Sequence, residues 1–229
     1  MTDEQLTAGD VARMRTPLWE QAKTAIAQAR PGEAAALIDR AVEQWSALKD
    51  YSINWITSLL TFIGEELGEE AVERALRKTG EEFVRPRRDT GTDWGSLPAA
   101  ARAKVIARAM LANMGAVDVA EDDEKIILTF QCASGGKLID DVRYEGDHPY
   151  LRLREKGPRT LMRDELWVYC AHCSVNNEMQ PVEWGGTPAS IEFPPEHRGE
   201  PCVHHIYKDV TKIPREAYER IGETPPERA

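Results

Sequence analysis

Cysteine and histidine are absent from the first 131 residues of this 229-residue chain. Its four cysteines (Cys132, Cys170, Cys173, Cys202) and five histidines (His148, His172, His197, His204, His205) all fall between positions 132 and 205. Thiol and imidazole chemistry is therefore excluded from the N-terminal half. A long hydrophobic run is missing too. "INWITSLLTFIG" stops at twelve residues, where a membrane span needs about 20. Nor is there a surplus of positive charge, and a net charge of −10 argues against nucleic acid or an anionic membrane as the main partner. The opening "MTDEQLTAGDVARM" has no basic n-region and no apolar h-region, so a cytoplasmic protein is expected. A reducing cytosol disfavours disulfides. No internal repeat or low-complexity block is found.

What is present is a soluble globular composition, 41% apolar and 30% charged, long enough for a genuine core in one or two domains. Residues 1–115 read as a helical part. Pro31 suits a first turn, and Ala35, Ile38, Val42, Trp45 and Leu48 recur at three- and four-residue steps. "KDYSINWITSLLTFIGEELG" carries apolar residues on more than one face, which predicts a central, largely buried helix. Another helix opens at Gly68 and has Gly80 after its most regular part. "RPRRDTGTDWGS" (85–96) reads as a loop. In "LPAAARAKVIARAMLANMG", Ser96 is the expected N-cap, Pro98 sits in the first turn and Gly115 is the stop.

Residues 116–229 read as a β-rich, metal-binding part. "KIILTFQC" is β-branched and aromatic, "YLRLRE" and "ELWVYC" alternate, and "ASIEF" and "CVHHIY" add two strands. Turns are signalled by "SGGK", "EGDHP", "EKGP" and "WGGTP", and "PREAYERIG" reads as a last helix before the tail "ETPPERA". Helices first, strands second and short connections predict an α+β fold. An N-terminal helical layer packs on a C-terminal, mostly antiparallel sheet, and the two parts integrate into one domain.

Cys170-Ala-His-Cys173 and Cys202-Val-His-His205 read together as CxxC, a gap of 28 residues, then CxxH. A two-residue spacer lets both side chains of a knuckle face one ion, and thiolate and imidazole are the ligands zinc prefers. If the segments are strands, Cys170 pairs with His172 and Cys202 with His204. Cys132 allows a third set of four cysteines. Four thiolates around Zn²⁺ leave a closed complex of roughly −2, a structural site, whereas three ligands and a water would activate that water. Cys132 has a second reading. In "TFQCASGGKL" it precedes the Ser134-Gly135-Gly136 turn, whose N–H groups can face an anion, so it is a candidate nucleophile with His172 as base. The plain alternatives are a tight hairpin with glycines supplying positive φ, and buried thiols acting as small hydrophobes.

The helix "GEEAVERALRKTGEEF", the cysteine-bearing strands and the late "GEPCVHHIYKD" resemble two groups over roughly residues 60–210. These are the L-2-amino-thiazoline-4-carboxylic acid hydrolase-like family and the 4-vinyl reductase domain. The resemblance implies an α+β domain enclosing a small-molecule pocket, with Cys202 near a site or a metal. "YCAHC" and "CASGG" depart from it.

The expectation is one zinc ion held by Cys132, Cys170, Cys173 and Cys202, with His205 as first substitute. The function expected is a hydrolase or lyase on a carboxylate-bearing small molecule, with His172 and His205 as candidate catalytic residues and His172 as acid/base. The alternative is a non-catalytic binding or sensory domain with a structural zinc. The apolar central helix also allows a homodimer.

Overall fold

The structure is a computed structural model and describes residues 7–88, 94–184 and 186–226. Part of the expected loop 85–96, the first six residues, one glycine of "WGGTP" and the last three residues of the tail lie outside these. The chain forms two compact units, Met1–Ser52 and Ile53–Ala229.

The first unit holds α1 (Ala8–Arg15), α2 (Leu18–Ala27) and the start of α3 (Pro31–Leu67). Proline begins α3 because its missing N–H would be unpaired there in any case. Its core is Leu18, Ala22 and Ala25 against Ala34 and Leu37. The expected stripe does sit on a helix. Yet Ile38, Val42, Trp45 and Leu48 stand about half exposed, and Ala34 and Leu37 take the buried face.

In the second unit the rest of α3 buries Ile53 and Leu60 against Val72 and Leu76 of α4 (Glu69–Thr79). Trp55, Ile56, Leu59 and Phe62 remain exposed, so this helix is not largely buried as its composition predicts. Gly68 begins α4 at φ +86°, a conformation that favours glycine. A π-helical turn (Gly80–Val84) and α5 (Arg85–Arg88) follow, so the start of the expected loop is helical. Next comes α6 (Ala99–Ala112), whose N-cap is Pro98 rather than Ser96.

Four strands form an antiparallel sheet in the order β1-β2-β6-β5: β1 (Val117–Glu121), β2 (Lys125–Phe130), β5 (Ile191–Phe193) and β6 (Cys202–Tyr207). The α+β expectation is met. Ile126, Leu128 and Phe130, alternating along β2, pack with Cys202 and Ile206 beneath Ala99, Ala103 and Met110 of α6. Arg102 of α6 is buried and donates to the Tyr207 carbonyl, fixing the helix to β6.

Between β2 and β5 the chain departs from the sequence pattern. The glycines after Cys132 open α7 (Gly135–Asp140) instead of a hairpin. "YLRLRE" and "ELWVYC" supply only the two-residue strands β3 (Arg152–Leu153) and β4 (Leu166–Trp167), a separate small sheet. The CxxC segment lies in a 3₁₀ turn (Val168–Cys170) and a π-helical turn (Cys173–Met179), which runs into α8 (Gln180–Glu183). Asn176 and Gln180 donate to the carbonyls of Leu76 and Arg77 at 2.8 and 2.9 Å, satisfying orphan groups at the end of α4. The chain closes with α9 (Arg215–Glu219).

Candidate functional site

Cys132 follows the last ladder residue of β2 by two positions, where the backbone turns into α7. Its sulfur is approached by the backbone N–H groups of Ser134 and Gly136, by the Ser134 hydroxyl at 3.3 Å and by the Cys202 thiol. The turn is closely packed around its glycines. A Cβ on Gly136 would stand 3.0 Å from the Cys132 Cβ, and one on Gly135 3.1 Å from the Cys170 sulfur. Cys202 opens β6 directly opposite Phe130, which carries its side chain to the same end of the sheet.

These contacts separate the thiols electrostatically. The hydrogen bond from Cys202, reinforced by the N–H and hydroxyl donors, holds Cys132 well below the ordinary thiol range despite its burial. Cys202 moves the other way, because it supplies the shared proton and is itself buried. We assign the negative charge to Cys132, the sulfur on which Ser134 and Gly136 converge. Burial pushes Cys170 and Cys173 upward, so both stay neutral thiols. Charge on Cys132 acts on the other three, which places all four predicted residues in one neighbourhood. Among the described residues, no group of three His, Cys, Asp or Glu side chains stands ready to hold a metal ion.

His172 keeps Nδ1 at 2.6 Å from the Tyr169 carbonyl. That contact assigns the proton to Nδ1 and leaves Nε2, 3.7 Å from the Cys173 sulfur, as the acceptor nitrogen. Its ring packs edge-on against Tyr169 at 5.0 Å, and Tyr169 in turn hydrogen-bonds Ser134. His205 is elsewhere. Strand alternation puts Cys202 and His204 on the buried face of β6 and His205 on the other, its ring tilted against Phe193 with centroids 4.8 Å apart.

His204 joins a buried polar network. Its Nδ1 lies 3.0 Å from the Ser190 hydroxyl and 3.4 Å from a Glu192 oxygen. Glu192 also contacts the Cys173 thiol and receives the Asn177 amide at 3.3 Å. Sequence reasoning named Ser134 only as part of the glycine turn and passed over Tyr169, Ser190 and Glu192. A buried glutamate looks like a surface one until the strands are paired.

A cleft of about 640 Å³ lies beside the cluster, lined in part by Ile139, Tyr144, Trp167, Arg152 and Arg163. Arg152 stacks over Trp167 at 4.3 Å. The charge of Arg163 reaches Cys170, and Tyr144 and Cys170 influence each other as well, so cleft and thiols are neighbours. The chain matches no family model, no curated protein and no solved structure. The chemistry of the site therefore rests on its own geometry.

Proposed function

We propose that this protein is a thiol-dependent enzyme, a hydrolase or lyase that attacks a carboxylate-bearing small molecule through Cys132. The observation that carries this reading is the convergence of two backbone N–H groups and the Ser134 hydroxyl on the Cys132 sulfur. Such donors favour thiolate, the form that attacks carbon. As sulfur gives up its charge in the attack, the same N–H groups are free to turn toward an oxygen that gains it. His172 serves as acid/base through Nε2, with Tyr169 holding the ring. Arg152 and Arg163 line the cleft paired with Glu165 at 2.8 Å and Glu196 at 3.6 Å, and a carboxylate substrate would take the place of one of these acids. The expected setting is the cytoplasm, where thiols stay reduced.

A zinc ion drawn in by the four cysteines is the second reading, favoured by their shared neighbourhood. One experiment separates the two. Reduced protein is assayed for metal, then treated with iodoacetate and with its neutral twin iodoacetamide, and the adducts are mapped. The thiolate reading expects a metal-free protein, first modified at Cys132, with iodoacetate favoured relative to its rate on free cysteine. Stoichiometric zinc with an unreactive Cys132 would replace that reading with the metal one.

A further inference from the structure

Among the described residues of Met1–Ser52, the buried core is Leu18, Ala22, Ala25, Ala34 and Leu37, and three of these five are alanines. Larger apolar side chains stand outside it. Trp19 is 61% exposed, Ile26 60%, Ile38 and Val42 48% each, and Trp45 54%. A segment this short is marginal on so small a core.

The five exposed residues open on one flank of the helical hairpin. Only residues 28–30 connect α2 to α3, so the two helices run antiparallel. Each residue advances the helix by about 100°. Trp19 and Ile26 therefore lie about 85° to one side of the buried line of α2. Ile38 and Val42 lie about as far to one side of the α3 line, with Trp45 between. The offset has the same hand on both helices. In a parallel pair that would send the stripes to opposite flanks, but in an antiparallel pair it brings them together. The other flank carries Gln21, Glu33, Arg40 and Gln44. The hairpin is thus amphipathic as a unit, apolar on one flank and polar on the other.

We infer that the apolar flank is a dimer interface, covered by the same flank of a second copy, so that two hairpins close into a four-helix bundle. Two half-exposed tryptophans and three aliphatic side chains leave about 500–600 Å² of apolar surface there. Homodimer interfaces are about 65% apolar, so this amount corresponds to about 800 Å² per copy, the size of a standard stable interface. The chain has 39 acidic residues, and helical phase puts none of them on this flank. Two copies of an acidic protein meet there without repulsion between facing carboxylates. Pairing across a twofold axis sets each stripe against its own copy and needs no other component. The homodimer expected from the sequence thereby gains a surface on α2 and α3. Nothing in it depends on the chemistry of Cys132.

The test uses the full-length protein, followed by sedimentation equilibrium from low to high micromolar concentration. The expected mass at the upper end is twice that of the chain. Val42→Glu puts a carboxylate on the apolar flank and is expected to weaken the dimer roughly a hundredfold. Gln44→Glu adds the same charge on the polar flank and is expected to leave the dissociation constant within about twofold. Amide hydrogen exchange of the wild type, compared above and below the midpoint, is expected to change most within residues 18–48. A monomer at every concentration would overturn the inference. So would a dimer that Val42→Glu leaves intact, one that Gln44→Glu breaks as readily, or one whose exchange changes fall within 53–229 instead. The exchange measurement needs no variant, so an unfolded Val42→Glu would not obscure the result.

Discussion

Nη2 of Arg220 stands 2.5 and 2.7 Å from the two carboxylate oxygens of Glu178, a side chain without solvent exposure. One of those oxygens also accepts the Glu192 N–H at 2.6 Å, and the same arginine nitrogen reaches the Glu192 carbonyl at 3.0 Å. The pair thus ties the turn after the CxxC segment to β5. Burial outweighs the arginine and holds the Glu178 carboxyl up at about 8. A folded-state value above the ordinary carboxylate range means the native chain keeps this proton longer than the unfolded one. Its stabilising share is complete below pH about 4.5 and is lost as pH rises through about 8. Urea unfolding of wild type and Glu178→Gln across that window is expected to show the difference between them changing with pH. A difference flat in pH would contradict the assignment.

Removing the cation has a larger effect. Arg220→Met leaves a buried carboxylate without its partner and is expected to cost about 3–5 kcal/mol at pH 8.5. The loss shrinks below pH 7, where the carboxyl takes up a proton instead. Denaturant titration of the same variant at both pH values checks the sign.

Gly80 lies where the α4 end meets Gln180. A Cβ there would fall 1.8 Å from the Gln180 side-chain Oε1 and 2.8 Å from the Asn176 side-chain Nδ2. Both amides are buried and engaged, so they cannot swing away. Gly80→Ala is expected to destabilise by roughly 1–3 kcal/mol, whereas Gly32→Ala, with nothing within 4 Å, is neutral or slightly stabilising. Thermal unfolding of the two variants gives the comparison.

Arg163 is expected to select the charged reagent. Arg163→Gln should reduce the preference for iodoacetate over iodoacetamide at Cys132 about fivefold, the worth of one partly screened charge pair. Its iodoacetamide rate should stay unchanged. Equal loss with both reagents would point to a general change in the site rather than carboxylate recognition.

The readable parts of the sequence were those where burial is one-sided. "KIILTFQC" and "CVHHIY" alternate because one face of β2 and β6 meets α6, and both became strands. "ELWVYC" shows similar alternation, but Val168 and Cys170 are buried in a 3₁₀ turn, where the period has no such meaning. The stripe on α3 identified a helix and misplaced its inner face, since Ala34 and Leu37 pack where Ile38 and Trp45 were expected. The concentration of cysteines pointed to four residues that the fold brings into one neighbourhood. The glycine turn after Cys132 marked that thiol as a candidate nucleophile, whereas the burial that keeps Cys170 and Cys173 neutral was not legible, because it depends on packing against distant parts of the chain.

The central claim is tested most directly by the pH dependence of alkylation at each cysteine, followed by mass spectrometry on reduced protein. The thiolate account predicts that Cys132 reacts first, with a midpoint well below the free-cysteine value of about 8.5, and that Ser134→Ala shifts this midpoint upward. Cys170, Cys173 and Cys202 should react only as the fold opens. A Cys132 that labels no faster than the other three, or only above pH 8, would contradict the account.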